Sequence, residues 1–231
     1  YTLITGASVG IGRALAIECA KRDMNLVLVD LPDSGLDSTI RYLNKYYSVE
    51  VNDFALDLTS PNAPLDIYNR CLELGITVNM LINNAGLGHL GSFCDYGYRF
   101  YEEIIRLNIE SVVLLTRLFL PQMKKLNHAY ILNLGSLAAF YPIPFKTVYA
   151  GRKNFVSSFS RALKTELKYT PVKVSVLCPG PVMTNQEVLD RIRRGGLWAK
   201  MTTIRANKMA EIAITGLLKG KAVIIPGIVN K

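Results

Sequence analysis

Short runs of Val, Ile and Leu alternate along the chain with longer stretches whose apolar residues recur at helical spacing. Brief apolar runs bounded by turn residues read as strands covered on both faces, and the longer periodic stretches as the helices that cover them. Tyr1–Thr5 predicts the first strand. Gly10–Arg22 then predicts a helix, with Ile11, Leu15, Ala16 and Cys19 on one stripe. Further strands are expected at Asn25–Asp30, Glu50–Leu56, Val78–Ile82, Ala129–Leu134 and Val172–Cys178, with a short last one at Ala222–Ile225. Helices are expected over Leu36–Tyr47, Ala63–Leu74, Tyr98–Lys125, Thr147–Tyr169, Gln186–Arg194 and Ala206–Leu218. Near-continuous apolar strands separated by helices imply parallel pairing. Right-handed crossovers then give an α/β fold, a three-layer, doubly wound parallel sheet.

No linker, repeat or low-complexity segment interrupts this pattern, so residues 1–231 read as one domain. At 231 residues and 50% hydrophobic content the chain can bury a sizeable core. It opens on Tyr1 inside an apolar run, which reads as a trimmed N-terminus. No run of about 18 apolar residues predicts a membrane-spanning helix. Cys19, Cys71, Cys94 and Cys178 lie scattered without metal-ligand spacing, and the two histidines, His89 and His128, are far apart. These features predict free thiols in a reducing, cytoplasmic compartment and no metal site.

The net charge of +9 is uneven: residues 1–119 hold 9 Lys and Arg against 14 Asp and Glu, and residues 120–231 hold 18 against 4. The basic half could meet an anionic membrane surface, though a solvated face of basic helices is the plainer reading. Its charges are not interleaved with stacking aromatics, so no nucleic-acid groove is expected.

Two stretches carry chemistry. Thr5–Gly12 (TGASVGIG) falls between the first strand and the first helix. There Gly6 permits a tight turn, Gly10 lets backbone approach a pyrophosphate, and Gly12 lets the helix pack on the strand, while the helix N-terminus offers N–H groups and positive dipole. Asp30 ends the second strand, where a carboxylate accepts hydrogen bonds from an adenosine ribose and repels a 2′-phosphate. A turn or cap aspartate before Pro32 is the alternative.

The second stretch, Gly135–Lys153, holds Ser136, then Tyr149 thirteen residues later and Lys153 four after that. On a helix Tyr149 and Lys153 share a face. A lysine beside a phenol favours the phenolate and makes the tyrosine a proton donor and acceptor near neutral pH. The Ser136 hydroxyl can hydrogen-bond an oxygen held next to that phenol. Alone, a Tyr and a Lys at this spacing are more often surface packing; the glycine turn at the other end of the chain gives them weight.

Together, the Gly-x-x-x-Gly-x-Gly of Gly6, Gly10 and Gly12, the Asn83-Asn84-Ala85-Gly86 segment, Ser136, Tyr149-x-x-x-Lys153 and Pro179-Gly180 resemble the short-chain dehydrogenase/reductase family. The resemblance runs from Thr5 to the strand Ala222–Ile225. It implies a Rossmann sheet of seven strands in the order 3-2-1-4-5-6-7, and an NAD(P)-dependent oxidoreductase that interconverts a carbonyl and a secondary alcohol by hydride transfer. It implies Tyr149 as general acid and base, Lys153 lowering its pKa and holding the nicotinamide ribose, and Ser136 polarising the substrate oxygen. Asn108 matches the position that holds a water for a proton relay through Lys153, with a helix–helix hydrogen bond as its alternative.

The cofactor contacts implied are Gly6, Ser8, Val9, Gly10, Ile11 and Gly12 at the phosphates, Asp57 and Leu58 at the adenine edge, and Asn84, Ala85 and Gly86 along the adenine ribose. Pro179, Gly180, Val182 and Thr184 would lie over the nicotinamide. Leu31 and Val9 stand where NADP-using members often carry a basic residue, so NAD is preferred and NADP is the alternative.

The expected substrate walls are Gly88, Leu137, Ala138, Phe140, Pro142, Phe145, Val182 and the segment Gln186–Met201 with Trp198. Their apolar character favours a lipophilic carbonyl or alcohol. The variable region near 185–203 is expected to be a small substrate lid. Apolar residues on the long helices (Val112, Val113, Phe119, Phe155, Phe159 and Leu163) imply, through the resemblance, a homodimer or homotetramer. An NADP-linked 3-oxoacyl or ketosteroid-type reductase is the alternative enzyme. A dinucleotide-sensing binding protein is the alternative without turnover.

Overall fold

Alternate residues of a strand point to opposite faces, so a strand that is apolar at every position needs a layer on each side. Thr2–Thr5 (β1) is buried at all four positions. It leads through the glycine turn into α1 (Gly10–Ala20) and on to β2 (Leu26–Asp30), of which Asp30 alone reaches partial exposure. The chain continues through α2 (Leu36–Tyr46), β3 (Val51–Ala55), α3 (Ala63–Glu73) and β4 (Met80–Asn83). Then follow α4 (Tyr98–Ile105), α5 (Ser111–Met123), β5 (Ala129–Leu134), α6 (Thr147–Glu166), β6 (Val172–Leu177), α7 (Ala206–Leu218) and β7 (Val223–Ile224). The computed structural model describes residues 1–183 and 203–227.

The sheet runs β3-β2-β1-β4-β5-β6-β7, the order expected from the sequence. Every neighbouring pair is parallel, with Ile4 beside Leu28 on one flank and Ile82 on the other. Leu26 and Leu28 pack with Leu15 and Cys19 of α1 and Met209 and Ala213 of α7. Val27 and Val29 pack on the opposite face with Ile67 of α3, Phe119 of α5 and Leu163 of α6. Burying each large side chain in these two layers contributes roughly 1.5–3 kcal/mol, and the layers fix the ends of the strands from which the site is built.

Boundaries shift by a residue or two from those expected, and three differences are larger. The helix expected over Tyr98–Lys125 is interrupted between α4 and α5 by a π-helical turn, Arg106–Glu110. A widened turn of that kind admits one extra residue and re-aims the side chains on it, Asn108 among them. A short parallel ladder, Val182–Met183 with Ile204–Arg205, was not foreseen; two residues a side are too few to leave a periodicity in the sequence. Val112, Phe119 and Leu163, read as apolar surplus for a second subunit, lie in the core at no more than 8% exposure. Phe155 stays exposed, stacked on Phe159 with ring centroids 6.0 Å apart. The helix expected over Gln186–Arg194, the lid near 185–203 except its last residue, and Trp198 lie outside the described residues, as does Thr184.

Candidate active site

Strand order reverses between β1 and β4, and the crevice at their carboxyl ends is where an open parallel sheet accepts ligands. On the β1 side, the glycine turn is shaped by what its residues lack. Gly6 and Gly10 adopt φ of 67° and 58°, a region that a side chain disfavours. A Cβ on Gly12 would lie 1.8 Å from the Gly6 carbonyl oxygen, so the first turn of α1 packs directly on backbone. Asn84 braces the turn from β4, its Nδ2 donating to the carbonyls of Thr5 and Gly6 at 2.9 Å each. The N–H groups of Asn84 and Ala85 donate in turn to Thr5 Oγ1 at 3.0 Å.

Val9, the extended residue before α1, supplies no side-chain cap, and the first turn of the helix holds no acid. The helix therefore points an uncapped N-terminus into the crevice, a favourable place for an anion. The carboxylate of Asp30 crosses the turn: Oδ2 accepts from the Ser8 N–H at 2.7 Å and Oδ1 from the Leu31 N–H at 2.8 Å. Val9 and Leu31 flank it, exposed and uncharged. Asp57 Oδ1 accepts from both the N–H and the hydroxyl of Thr59 at 2.8 Å, and Leu58 is buried. A cavity of about 790 Å³ extends from the glycine turn and Asp30 past Asp57, Leu58 and Asn84–Gly86 to Leu107 and Leu134. Its length, its uncapped helix end and its acid at the β2 terminus fit a dinucleotide, with Gly6–Gly12 at the pyrophosphate and Asp30 at the adenosine ribose.

The other end of the crevice is built from polar and charged side chains. Ser136 follows β5 in extended backbone and caps the short 3₁₀ turn Leu137–Phe140; its Oγ accepts from the Ala138 N–H at 3.1 Å, leaving its own proton to donate. The loop is held against the end of β6 by Gly135 N–H to the Leu177 carbonyl (2.7 Å) and Leu137 N–H to the Pro179 carbonyl (3.2 Å). Pro179 and Val182 are buried there, beside Gly180.

From α6, Arg152 reaches the loop after β4, Lys153 reaches the end of β5, and the Tyr149 ring lies beside Gly88. Lys153 is buried, and its ammonium donates to the Leu134 carbonyl, in the wall of the dinucleotide cavity. Burial first, and then the neighbouring Arg152 charge, pull its pKa down to about 7, with Cys178 acting weakly the other way. The cation over the Tyr149 ring is Arg152, its guanidinium carbon 4.6 Å from the ring centroid, with Lys146 Nζ at 5.6 Å. Gly88 leaves room beside the same ring: a Cβ there would sit 3.6 Å from it.

Asn108, on the π-turn, accepts from Arg152 Nη1 through Oδ1 and donates from Nδ2 to the Ile104 carbonyl at 2.8 Å. Its side chain thus makes the helix–helix contact that was the alternative at this position. Arg152 was not foreseen, although it stands three residues after Tyr149, a spacing that shares a helix face as the i, i+4 pair does.

Also not foreseen is a buried polar ladder behind the site. Asn83 Nδ2 donates to Asn133 Oδ1 at 2.8 Å, and Asn133 Nδ2 to Ser160 Oγ at 2.9 Å. It ties β4 and β5 to α6. Of the expected substrate walls, Ala138, Phe140 and Pro142 line a separate hollow of about 720 Å³ on another face of α6, with Ala150, Gly151 and Asn154. Tyr149 and Ser136 do not border it.

Comparison with known proteins adds the family. The family model for short chain dehydrogenases matches residues 1–192. The chain is 31% identical over 202 residues to the very-long-chain 3-oxoacyl-CoA reductase-A of Danio rerio, covering 84% of this chain and 60% of the relative. It is 34% identical over 192 residues to the 17-beta-hydroxysteroid dehydrogenase type 3 of Homo sapiens, covering 80% and 59%. It therefore spans about three-fifths of the length of these curated relatives. A short-chain dehydrogenase from Sphingobium yanoikuyae, solved in complex with NADPH, superposes with a TM-score of 0.85 at 29% identity, over 98% of this chain and 87% of that one. With its sheet order, glycine turn and Ser136, Tyr149 and Lys153 in place, this chain belongs to the short-chain dehydrogenase family.

Proposed function

We propose that the chain is an NAD(P)-dependent oxidoreductase that interconverts a lipophilic ketone and its secondary alcohol, with Tyr149 as general acid and base. The observation that carries this reading is the Lys153 contact. Lys153 holds the Leu134 carbonyl, which walls the dinucleotide cavity, and Lys153 lies one helical turn from Tyr149. The contact therefore ties the cofactor cavity to the helix that carries Tyr149.

A bound nicotinamide would supply or accept the hydride. Gly6–Gly12, Asp30, Asp57 and Asn84–Gly86 would hold the adenosine and phosphate portions, and Pro179, Gly180 and Val182 the nicotinamide end. In reduction Tyr149 gives its phenolic proton to the carbonyl oxygen as the carbon gains hydride. In oxidation the phenolate takes the hydroxyl proton back. Ser136 donates a hydrogen bond to the same oxygen, and Lys153, with a pKa near neutrality, can return a proton to Tyr149. Asn108 lies on the π-turn with its Oδ1 committed to Arg152, so a water held for this relay would fall to its backbone.

NAD is the preferred cofactor in this reading, because Asp30 places a negative charge at the ribose and neither Val9 nor Leu31 offers a cation to a 2′-phosphate. The names of the Danio rerio and Homo sapiens relatives support a lipophilic acyl or steroid-like ketone, so an NADP-linked 3-oxoacyl or ketosteroid-type reductase is the second reading. The exposed Phe155, stacked on Phe159, supports a homo-oligomer, and the free cysteines support a reducing, cytoplasmic compartment. A dinucleotide sensor without turnover is less well supported, since Ser136, Tyr149 and Lys153 are all retained.

The test is a turnover screen with NADH and NADPH against ketones of increasing chain length, read by nicotinamide absorbance. Tyr149→Phe should lower kcat roughly 10³-fold or more while dinucleotide affinity, followed by fluorescence, stays within a few-fold. An active Tyr149→Phe protein would remove the assigned role, and dinucleotide binding without turnover of any ketone or alcohol would favour the sensor.

A further inference from the structure

Arg152 is a buried cation with no carboxylate paired to it among the described residues. It is 3% exposed. Its Nη1 donates to Asn108 Oδ1 and its Nη2 to the Leu87 carbonyl at 2.8 Å, while Nε has no partner among the described residues. Both acceptors are neutral. A second cation, Lys153, adjoins it on the same helix. Two neighbouring positive charges in a dry site are costly unless negative charge appears beside them. The group against the guanidinium face is the Tyr149 ring, 4.6 Å away.

We propose that Arg152 is a positioning residue for proton transfer: forked onto Asn108 and Leu87 and laid over Tyr149, its fixed guanidinium favours the phenolate of Tyr149. This rests on the dehydrogenase reading, in which that phenolate is the base. Two roles often placed on one lysine are then divided between neighbours. Burial draws the Arg152 pKa down to about 10, so it stays charged through the neutral range, whereas Lys153, drawn down to about 7, can gain and lose a proton. The fork also fixes where the charge sits. Asn108 is anchored by its own helix through the Ile104 carbonyl, and Leu87 belongs to the loop that carries Gly88 against the Tyr149 ring.

Among the described residues, the charged and titratable groups around the pair are few. Lys146 lies over the Tyr149 ring at 5.6 Å, and His89, on the loop after β4, sits near enough to Arg152 for its own pKa to be lowered, mainly by burial and then by that charge. Cys178, at the end of β6, faces Lys153. All of these remain when Arg152 alone is changed.

The experiment reads the phenol itself, in the protein without dinucleotide. The chain has 12 tyrosines, so Tyr149 is isolated as the difference in phenolate absorbance between otherwise identical proteins with and without Tyr149→Phe. Arg152→Gln, which retains hydrogen-bonding groups but no charge, should raise the apparent Tyr149 pKa by roughly one unit or more. Arg152→Lys should restore most of that difference. In the oxidation direction the rising limb of kcat/KM against pH should move the same way. If Arg152→Gln fails to fold by circular dichroism, Arg152→Met gives the same reading with an apolar chain of similar reach.

An unmoved Tyr149 titration in the neutral variant, or an equal shift in Arg152→Gln and Arg152→Lys, would overturn the proposal in favour of a purely structural fork. Absence of turnover with every ketone would count against the dehydrogenase reading and leave the titration result standing on its own.

Discussion

At the glycine turn the chain makes room by omitting side chains, and it braces the result with hydrogen bonds from neutral donors: Asn84 to the carbonyls of Thr5 and Gly6, and the Ser8 N–H to the carboxylate of a partly solvated Asp30. Around Tyr149 it does the reverse. Two cations are buried side by side, bonded to neutral carbonyl and amide oxygens, and the fold carries their desolvation cost. The first end should be sensitive to shape and nearly indifferent to pH. The second should tolerate modest changes of shape and respond strongly to protonation. The contrast matches the two tasks, since a pyrophosphate keeps its charge through a reaction whereas a proton-transfer group must change its own.

The shape-sensitive end breaks most severely. Gly12→Ala puts a Cβ 1.8 Å from the Gly6 carbonyl oxygen and 2.6 Å from Asn84 Nδ2, so backbone on both sides of the turn has to move. We expect a loss of about 3 kcal/mol of stability and about 100-fold in dinucleotide affinity, with no change in the form of either pH profile. Chemical denaturation and fluorescence titration measure the two losses. A Gly12→Ala protein that binds dinucleotide like the parent would mean that the turn is not the phosphate site.

The charged end should show itself in the pH dependence of stability. Between about pH 7 and 10.5 the unfolded chain holds a proton on Lys153 that the folded chain has released, so stability rises with pH across that window. Below about 7 both states carry the proton and the full cost of the buried charge is present; above 10.5 neither does and it is gone. The difference amounts to something on the order of 5 kcal/mol. Lys153→Met should flatten that rise, measured as unfolding free energy at several pH values against the parent. Cys178, pushed up to about 11 by burial, titrates at the alkaline edge in both proteins and largely cancels in the comparison. An identical slope in parent and variant would contradict a buried, neutralising Lys153.

The same contrast explains what the sequence disclosed. The parallel sheet follows from apolar strands such as Leu26–Asp30, where every interior position needs cover, and its strand order from the family resemblance that the glycine turn helps to carry. Ser136, Tyr149 and Lys153 were legible as a spacing. Arg152 was not, because a basic residue on a helix is usually solvated, and only the meeting of α6 with the π-turn and the loop after β4 buries it. Asn108 was legible as a position but not in its bonding. Of the expected substrate walls, Ala138, Phe140 and Pro142 follow Ser136 and line the hollow beside α6, while the segment 186–201 lies outside the described residues.

The smallest expected effect falls where the two ends resemble each other, at the charge that braces the glycine turn. Asp30 has two roles that a substitution can separate. One oxygen accepts from the Ser8 N–H and holds the turn; the net charge opposes a 2′-phosphate. Asp30→Asn can keep an acceptor for Ser8 while removing the charge. NAD affinity should then fall by no more than about tenfold, about 1.4 kcal/mol, while NADP affinity rises and the preference between them narrows or inverts. Asp30→Ala removes the acceptor too and should weaken both cofactors, because the turn that receives the phosphates is loosened. Parallel fluorescence titrations with the two dinucleotides distinguish the cases. If Asp30→Asn leaves the ratio of affinities unchanged, Asp30 is a structural brace alone and selection lies elsewhere in the cavity wall.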